Sequence, residues 1–439
     1  MMSLSLMDIA IVMIVAFLIL MFLRMPIGVA MVVTGFLGLV IIRGLPAALS
    51  GLSVITWRNG INYSLIVIPL FTWMGLLASY GGISKDAFSS LYKWVGRLPG
   101  GLAMACTCAC AAFGAVCGSH VATAVTMCTV ALPEMRKYNY SDEFSLGCIA
   151  ASGNLGIIIP PSTAFIVYGF VTETSIGSLF ISGILPGILI TIMFCVQIYI
   201  QCRLNPQLGI IGPRTSLKEK VISLKGLWAI VLVFIIVMGG IYAGFFTPNE
   251  AAAVGAFAVL IIGLVNRQLT WKGFRSSLAE TGKITAMIMI LIIGAMLFGA
   301  FITTSELPQT TANLVKTLSV NRYLIMGAIL VFYILAGFIM DIYSVLIISL
   351  PIFFPIVTAL GFDPVHFGVL SVLTVMMGAI SPPFGVVVFA VGGMNRDVPL
   401  FTIFRGAFPF LLCMLLGLII LLIFPEISTF LPNLAMPYK

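Results

Sequence analysis

Charge is what this chain of 439 residues has least of: Asp, Glu, Lys and Arg make up 8% of it, and His occurs twice. With 61% hydrophobic residues, that scarcity excludes a water-soluble domain, because a fold of this length leaves much of its surface in water. The bilayer is the solvent here. A net charge of +8 could suggest nucleic acid, but the bases are scattered singly between apolar runs rather than massed on one segment. The nine cysteines, Cys106, Cys108 and Cys110 among them, avoid the polar loops where a disulfide framework belongs. They read as small packing residues, and no zinc-like spacing joins the trio to Cys117 and His120. The start lacks a basic n-region, and the apolar stretch from Ile9 has no small-residue cleavage site, so it reads as a first membrane helix.

Apolar runs of roughly 20 residues are needed to cross a hydrocarbon core. Single passes fit Ile9–Leu23, Pro26–Ile42, Ile61–Tyr80, Leu179–Cys202, Leu227–Phe246, Glu250–Val265, Thr285–Thr303 and Phe408–Phe424. Two further segments, Pro99–Pro133 and Tyr323–Leu360, are each long enough for two passes or for a dip and return. Two more, Phe144–Val171 and Val365–Met394, are broken by Pro-Pro. Lys and Arg of short loops stay cytoplasmic. With the N-terminus outside, seventeen of the 22 bases fall inside, leaving Arg43, Arg58, Lys316, Arg322 and Lys439 outside. The longest polar connection, Arg203–Lys225, is then a cytoplasmic seam between two halves.

Shifting the chain by 222 residues lays Pro133 on Pro355, Gly156 on Gly378, Ile158 on Ile380, and Pro160 and Pro161 on Pro382 and Pro383, with Ser119 falling on Asp341. Five spans separate the two double segments. An odd number makes the second copy enter from the opposite face, so the repeat is inverted.

The breaks carry the chemistry. Each Pro-Pro pair removes two backbone donors and leaves the preceding carbonyls without helical partners, and such oxygens are hard ligands suited to an alkali cation. A helix that restarts after the break turns free amides and the positive end of its dipole toward an anion. A simple proline kink is the other reading. "AVCGSHVATA" (Ala115–Ala124) offers Ser119, His120 and Thr123, and "GFIMDIYS" (Gly337–Ser344) offers Asp341 and Ser344. Asp341 is a functional candidate if it lies at membrane depth and a plain turn residue if it lies in water. His120 is either an interfacial side chain on a carbonyl or a donor to an anion. No Lys or Arg falls in the middle of these segments, so an anion must be gripped by helix ends, hydroxyls, Asn154 or His120.

In these residues the chain resembles the large, DctM-type membrane subunit of tripartite ATP-independent periplasmic (TRAP) transporters. "RMPIGVAM" (Arg24–Met31), "IPLFTWMG" (Ile68–Gly75) and "GNLGIIIPPS" (Gly153–Ser162) carry the likeness. The resemblance implies an all-α polytopic membrane protein: an elevator-type transporter built as an inverted repeat with two re-entrant hairpins and two discontinuous helices. The corresponding division is 1–98 scaffold; 99–202 first transport repeat, with hairpin 99–135 and broken helix 142–172; 203–226 linker; 227–320 second scaffold; and 321–439 second transport repeat, with hairpin 321–361 and broken helix 364–394. Coupling to two or more sodium ions is implied, one site drawing on Gly114, Cys117, Gly156, Ile159 and Pro160 and another on Gly337, Gly378 and Ser381, mainly through carbonyls. Substrate, a small carboxylate or sulfonate, is implied near Ser119, His120, Thr123, Asn154, Ser162 and Asp341. The implied partners are a small four-helix (Q-type) membrane subunit and a soluble periplasmic (P-type) binding protein, and the implied location is a bacterial inner membrane with the N-terminus periplasmic.

The first hairpin tip departs from the family's usual Ser-Gly-Ser followed by Ser or Ala: here it reads Cys117-Gly118-Ser119-His120. An intramembrane hydrolase using Ser119 and His120 is disfavoured, since adjacent side chains point apart and no GxSxG elbow context is present. A passive channel would want rings of pore charges that the chain lacks. A proton-coupled organic-anion symporter working without partners remains as an alternative.

Overall fold

The computed structural model describes residues 5–23, 25–209, 212, 215–307, 310 and 321–435. Arg24, Arg214, Lys316 and Lys439, four of the bases counted for orientation, lie outside the described residues. Five helices open the chain: α1 (Leu6–Phe22), α2 (Ile27–Arg43), α3 (Leu45–Gly60), α4 (Val67–Tyr80) and α5 (Ile83–Val95). Neither α3 nor α5 stands out as a span in the sequence. In α3 only Ala48 is buried. In α5, Ile83, Ala87 and Phe88 make one buried stripe against the next helix, an amphipathic period hidden by its brevity and polar content.

Next come α6 (Gly101–Cys117), α7 (His120–Lys137), α8 (Asp142–Gly153) with a further turn at Leu155–Ile158, α9 (Thr163–Thr172) and α10 (Ile176–Leu204). Then follow α11 (Leu217–Tyr242), α12 (Pro248–Val265) and α13 (Trp271–Thr304). The chain continues with α14 (Arg322–Gly337), α15 (Ile342–Ala359), α16 (Pro364–Gly378), α17 (Val386–Met394), α18 (Leu400–Ile423) and α19 (Glu426–Ala435). Among the described residues, seven helices are long and apolar enough to cross a membrane. Counting the pair Asp142–Ile158 and Thr163–Thr172, bent by 43°, as one span makes eight. The protein is therefore a multi-pass, all-helical membrane protein. An apolar stripe suited to lipid lies on α10, where Ile188, Ile192, Val196 and Ile200 recur one turn apart and all are exposed.

Helix α13 has 34 residues, about 50 Å by its rise, and so overruns the hydrocarbon layer. Its first turns, with Lys272, Arg275, Glu280 and Lys283, hold the charge that made the sequence signal begin only at Thr285. Its apolar part lies in a groove of α2 lined by Gly28, Gly35 and Gly38. A Cβ on Gly35 would stand 2.8 Å from the Phe298 backbone, so only a bare glycine allows the approach. Lipid tails are as apolar as side chains, and helices in a bilayer associate through such close packing of small residues.

The broken helix α8 is held by α18 in the same way, Gly147 facing Gly406. Arg136 at the end of α7 donates to Asp142 at the start of α8 (2.7 Å) and reaches Asp397 after α17 (3.1 Å), while Arg405 pairs with Glu143 (3.4 Å). These partly exposed ion pairs contribute little stability each and serve to join the polar ends of both halves.

A Cβ on Gly406 would sit 1.8 Å from the Glu143 carbonyl oxygen, whereas one on Gly51 would meet nothing within 4 Å. Gly406→Ala is expected to cost about 1–3 kcal/mol, the usual cost of overpacking, and Gly51→Ala to cost nothing. Thermal unfolding of the two variants in detergent checks this, and equal melting temperatures would refute the close packing of α8 on α18.

Candidate functional site

Helix α8 and its extra turn end because Ile159 precedes a proline and turns extended, with φ −80° and ψ 124°. Both Pro-Pro bonds, Pro160–Pro161 and Pro382–Pro383, are cis. Helix α9 restarts at Thr163 with Ser162 as its cap, the Ser162 hydroxyl accepting from the Phe165 amide (3.3 Å) and donating to the Ile157 carbonyl.

The turn between α6 and α7 lies against this break. Gly118 is left-handed (φ 62°), and a Cβ there would be 2.6 Å from the Pro161 carbonyl oxygen. Its own carbonyl accepts from both the Thr163 amide (3.4 Å) and the Thr163 hydroxyl (2.9 Å). Below the turn, Gly114 meets Gly156 backbone to backbone, and Thr123 and Ser119 close over the other face of Gly156. Ser119 caps α7 by accepting from the Ala122 amide (3.4 Å).

The second half is built alike. Gly337 and Gly378 pack backbone to backbone where α14 meets α16. Asp341 caps α15, accepting from the amides of Tyr343 (3.0 Å) and Ser344 (3.2 Å) and from the Ser344 hydroxyl. At the break, the Val387 amide donates to Ala379 (3.1 Å) and the Gly385 amide to Ser381 (3.0 Å), while the Ser381 hydroxyl donates to Met377 (2.7 Å).

Near the breaks, two of the side-chain bonds between the halves bear on the site. The Tyr343 hydroxyl donates to Thr163 Oγ1 (2.7 Å), whose own proton is directed to Gly118. Asn154 Nδ2 donates to the Met376 carbonyl (2.9 Å). The first residues of α7, α9 and α15 therefore lie side by side. Between them and α4 and α13 is a cleft of about 20 Å³ lined by Thr72, Leu76, Cys117, Ser119, Ala122, Thr163, Ile284 and Tyr343. Three helix N-termini meet at this space without Lys or Arg; that of α15 is already capped by the Asp341 carboxylate, so the ends left to favour an anion are those of α7 and α9.

Of the residues singled out from sequence, Ser119 and Cys117 line this cleft. His120 is buried beside it with Nδ1 unpartnered, and Thr123 Oγ1 is likewise buried without a partner. Asn154 is turned to Met376 instead, with Oδ1 unpartnered, and Ser162 bonds its own backbone turn. Asp341 stands at the cap of α15, next to Tyr343 rather than in the cleft lining. Among the described residues, no hydrogen bond reaches the carbonyls of Cys117, Ile159, Pro160 or Gly337, whereas Gly114, Gly378 and Ser381 carbonyls accept the Gly118, Ser381 and Gly385 amides. Those free oxygens suit an alkali cation. Thr72, Thr163 and Tyr343 are not picked out by sequence: each is an ordinary helical residue until neighbours from elsewhere in the chain are placed around it.

A larger cavity, about 1030 Å³, is elsewhere, between α3, the far end of α9 and α13, with Arg58 and Glu173 in its wall. The starts of α10 (Ser175, Ile176) and α12 (Pro248) also reach it, but among the described residues its lining holds no unpartnered buried polar atom, so the cleft is the better candidate.

Residues 14–427 match the family model described as "Tripartite ATP-independent periplasmic transporter, DctM component". The chain is similar to the C4-dicarboxylate TRAP transporter large permease protein DctM of Pseudomonas aeruginosa, 36% identical over 390 residues that cover 88% of this chain and 90% of that one. It is also similar to the sialic acid TRAP transporter large permease protein SiaM of Vibrio cholerae, 33% identical over 86% of this chain and 88% of the relative. Among solved structures it shares the fold of the Alcanivorax borkumensis YdaH transporter, with TM-score 0.60 at 16% identity, covering 86% of this chain and 88% of that one.

Thr163→Val removes a donor from Gly118 and leaves the Tyr343 hydroxyl unpaired, so it is expected to cost more stability than Tyr343→Phe. A double-mutant cycle on unfolding should give a Thr163–Tyr343 coupling of about 0.5–1.5 kcal/mol; strict additivity would mean the two halves do not meet there.

Proposed function

From the premise that this chain belongs to the DctM component family of tripartite ATP-independent periplasmic transporters, we propose that it drives sodium-coupled uptake of a small organic anion by an elevator motion. It is a transporter permease subunit, not an enzyme, and works within a tripartite system on an organic substrate. The observation that carries the proposal is the meeting of the N-termini of α7 and α9 at one cleft, beside the start of α15, without a fixed cation. An anion bound to helix ends alone is held weakly in isolation and gains from a cation beside it. The free carbonyls of Cys117, Ile159 and Pro160 border the same turn, so a sodium ion held there would strengthen anion binding and be strengthened by it, which is thermodynamic coupling.

Further support bears on the inverted repeat. Asn154 and Met376, which hydrogen-bond to each other, are 222 residues apart, the same offset that overlays the two Pro-Pro breaks. In a twofold-related pair, a position meets its own equivalent only on the axis, so this bond marks where the axis would run. The re-entrant reading of both helix pairs draws on where their turns sit, against breaks in the middle of a long segment. Length alone leaves α15 a candidate full span.

The cleft is bounded on one side by the hairpin turns and α9, on the other by α4 and α13. At about 20 Å³ it takes one water-sized group, so a carboxylate with its carbon skeleton requires these walls to part. A sliding surface between repeats and scaffold supplies that movement. On the orientation read from charge, the cavity at Arg58 is the outer approach. A Q-type membrane subunit and a P-type periplasmic binding protein complete the system, in a bacterial inner membrane. Carboxylates are the substrate class suggested by the C4-dicarboxylate and sialic acid relatives.

Asp341→Asn keeps a capping side chain while removing the charge. In proteoliposomes holding the permease with both partners, wild-type uptake should follow an inward sodium gradient, and Asp341→Asn should reduce it at least tenfold with little change in melting temperature. Uptake that ignores sodium and follows protons would overturn the coupling ion.

A further inference from the structure

Threonines in membrane helices normally spend their hydroxyl on the carbonyl one turn back. Thr34 donates to Ala30 (2.8 Å), Thr107 to Ala103 (3.1 Å), Thr281 to Ser277 (2.7 Å) and Thr304 to Ala300 (2.7 Å). Thr72, in the middle of α4, does not: its Oγ1 is buried without a partner, and the residue is only 7% exposed. It lines the cleft opposite Ser119 and Thr163. One turn along α4, Gly75 brings the helix so close to the first hairpin turn that a Cβ there would lie 2.2 Å from the Cys117 carbonyl oxygen. An unpaired buried hydroxyl costs stability unless something uses it.

We propose that Thr72 is a substrate-binding residue, its hydroxyl donating to the carboxylate of the anion held at the ends of α7 and α9. This rests on the reading of that cleft as the anion site. Thr72 belongs to α4, outside both repeats, while the other polar groups of the cleft belong to the repeats. The contact forms once the cleft walls have parted enough to admit the carboxylate, and it is broken when the repeats slide further along α4. Thr72 thus favours the anion in one end position of the cycle over the other.

The test is equilibrium binding of radiolabelled succinate and sialic acid to the purified full-length permease in sodium buffer, with melting temperature measured on the same samples. Thr72→Val, which keeps the shape and removes the hydroxyl, should weaken binding about tenfold, in line with a hydrogen bond to a charged group. It should leave the ligand-free melting temperature unchanged or raised, because an unsatisfied polar group is gone. Thr72→Ser should restore affinity. Equal affinity in Thr72→Val, or a lowered ligand-free melting temperature, overturns the assignment, as does failure of Thr72→Ser to restore. Failure of the transport reading is seen separately, as wild-type uptake indifferent to sodium.

Discussion

Every backbone polar group at membrane depth has to find its partner within the protein, because hydrocarbon offers none. An intact helix meets this demand by itself; a helix broken at two prolines does not. The structure around Ile159–Ser162 is a set of repairs to that deficit. The Ser162 hydroxyl takes the Ile157 carbonyl, and Thr163 spends its amide and hydroxyl on Gly118. At the second break Val387 and Gly385 return to Ala379 and Ser381. The repairs are incomplete: among the described residues the carbonyls of Cys117, Ile159 and Pro160 accept no hydrogen bond, and hard oxygens of that kind suit an alkali cation.

Close approach follows from the same constraint. A helical pair can repair a break only if its turn reaches the broken backbone, and side chains would hold it off. Glycines therefore stand at each meeting point: Gly114 on Gly156, Gly118 on Pro161, Gly337 on Gly378 and Gly75 on Cys117. The result joins residues distant in the chain into one site, with Tyr343 bonded to Thr163 and Asn154 to Met376. Four of the thirteen buried side-chain polar atoms without a partner among the described residues, on Thr72, His120, Thr123 and Asn154, lie around the first turn. Such a concentration is costly in an empty core and useful where a ligand binds.

Much of this was legible before any coordinates. Membrane class followed from composition, and the two Pro-Pro breaks and the 222-residue echo from simple inspection. Two things were not. The echo overlays Ser119 on Asp341, and both are helix caps. Yet the glycine contact is at Gly114 in one pair and Gly337 in the other, an offset of 223, so in the second pair it lies one residue nearer the cap. Hydropathy cannot register a one-residue difference in a turn. Nor could it find α3 and α5, whose polar residues hide a helical period, or the charged first third of α13.

The sequence by itself determined the solvent, the number and place of the helix breaks, and the residue types able to bind without fixed charge. Those properties are local, set by side-chain transfer to lipid and by what proline and glycine permit a backbone to do. Tertiary structure alone decided which breaks meet which turns, that Asn154 faces the other half instead of the cleft, and that Thr72 lines it with its hydroxyl unpartnered. Those outcomes depend on packing between segments up to hundreds of residues apart, and nothing in a window of sequence encodes the distance between them.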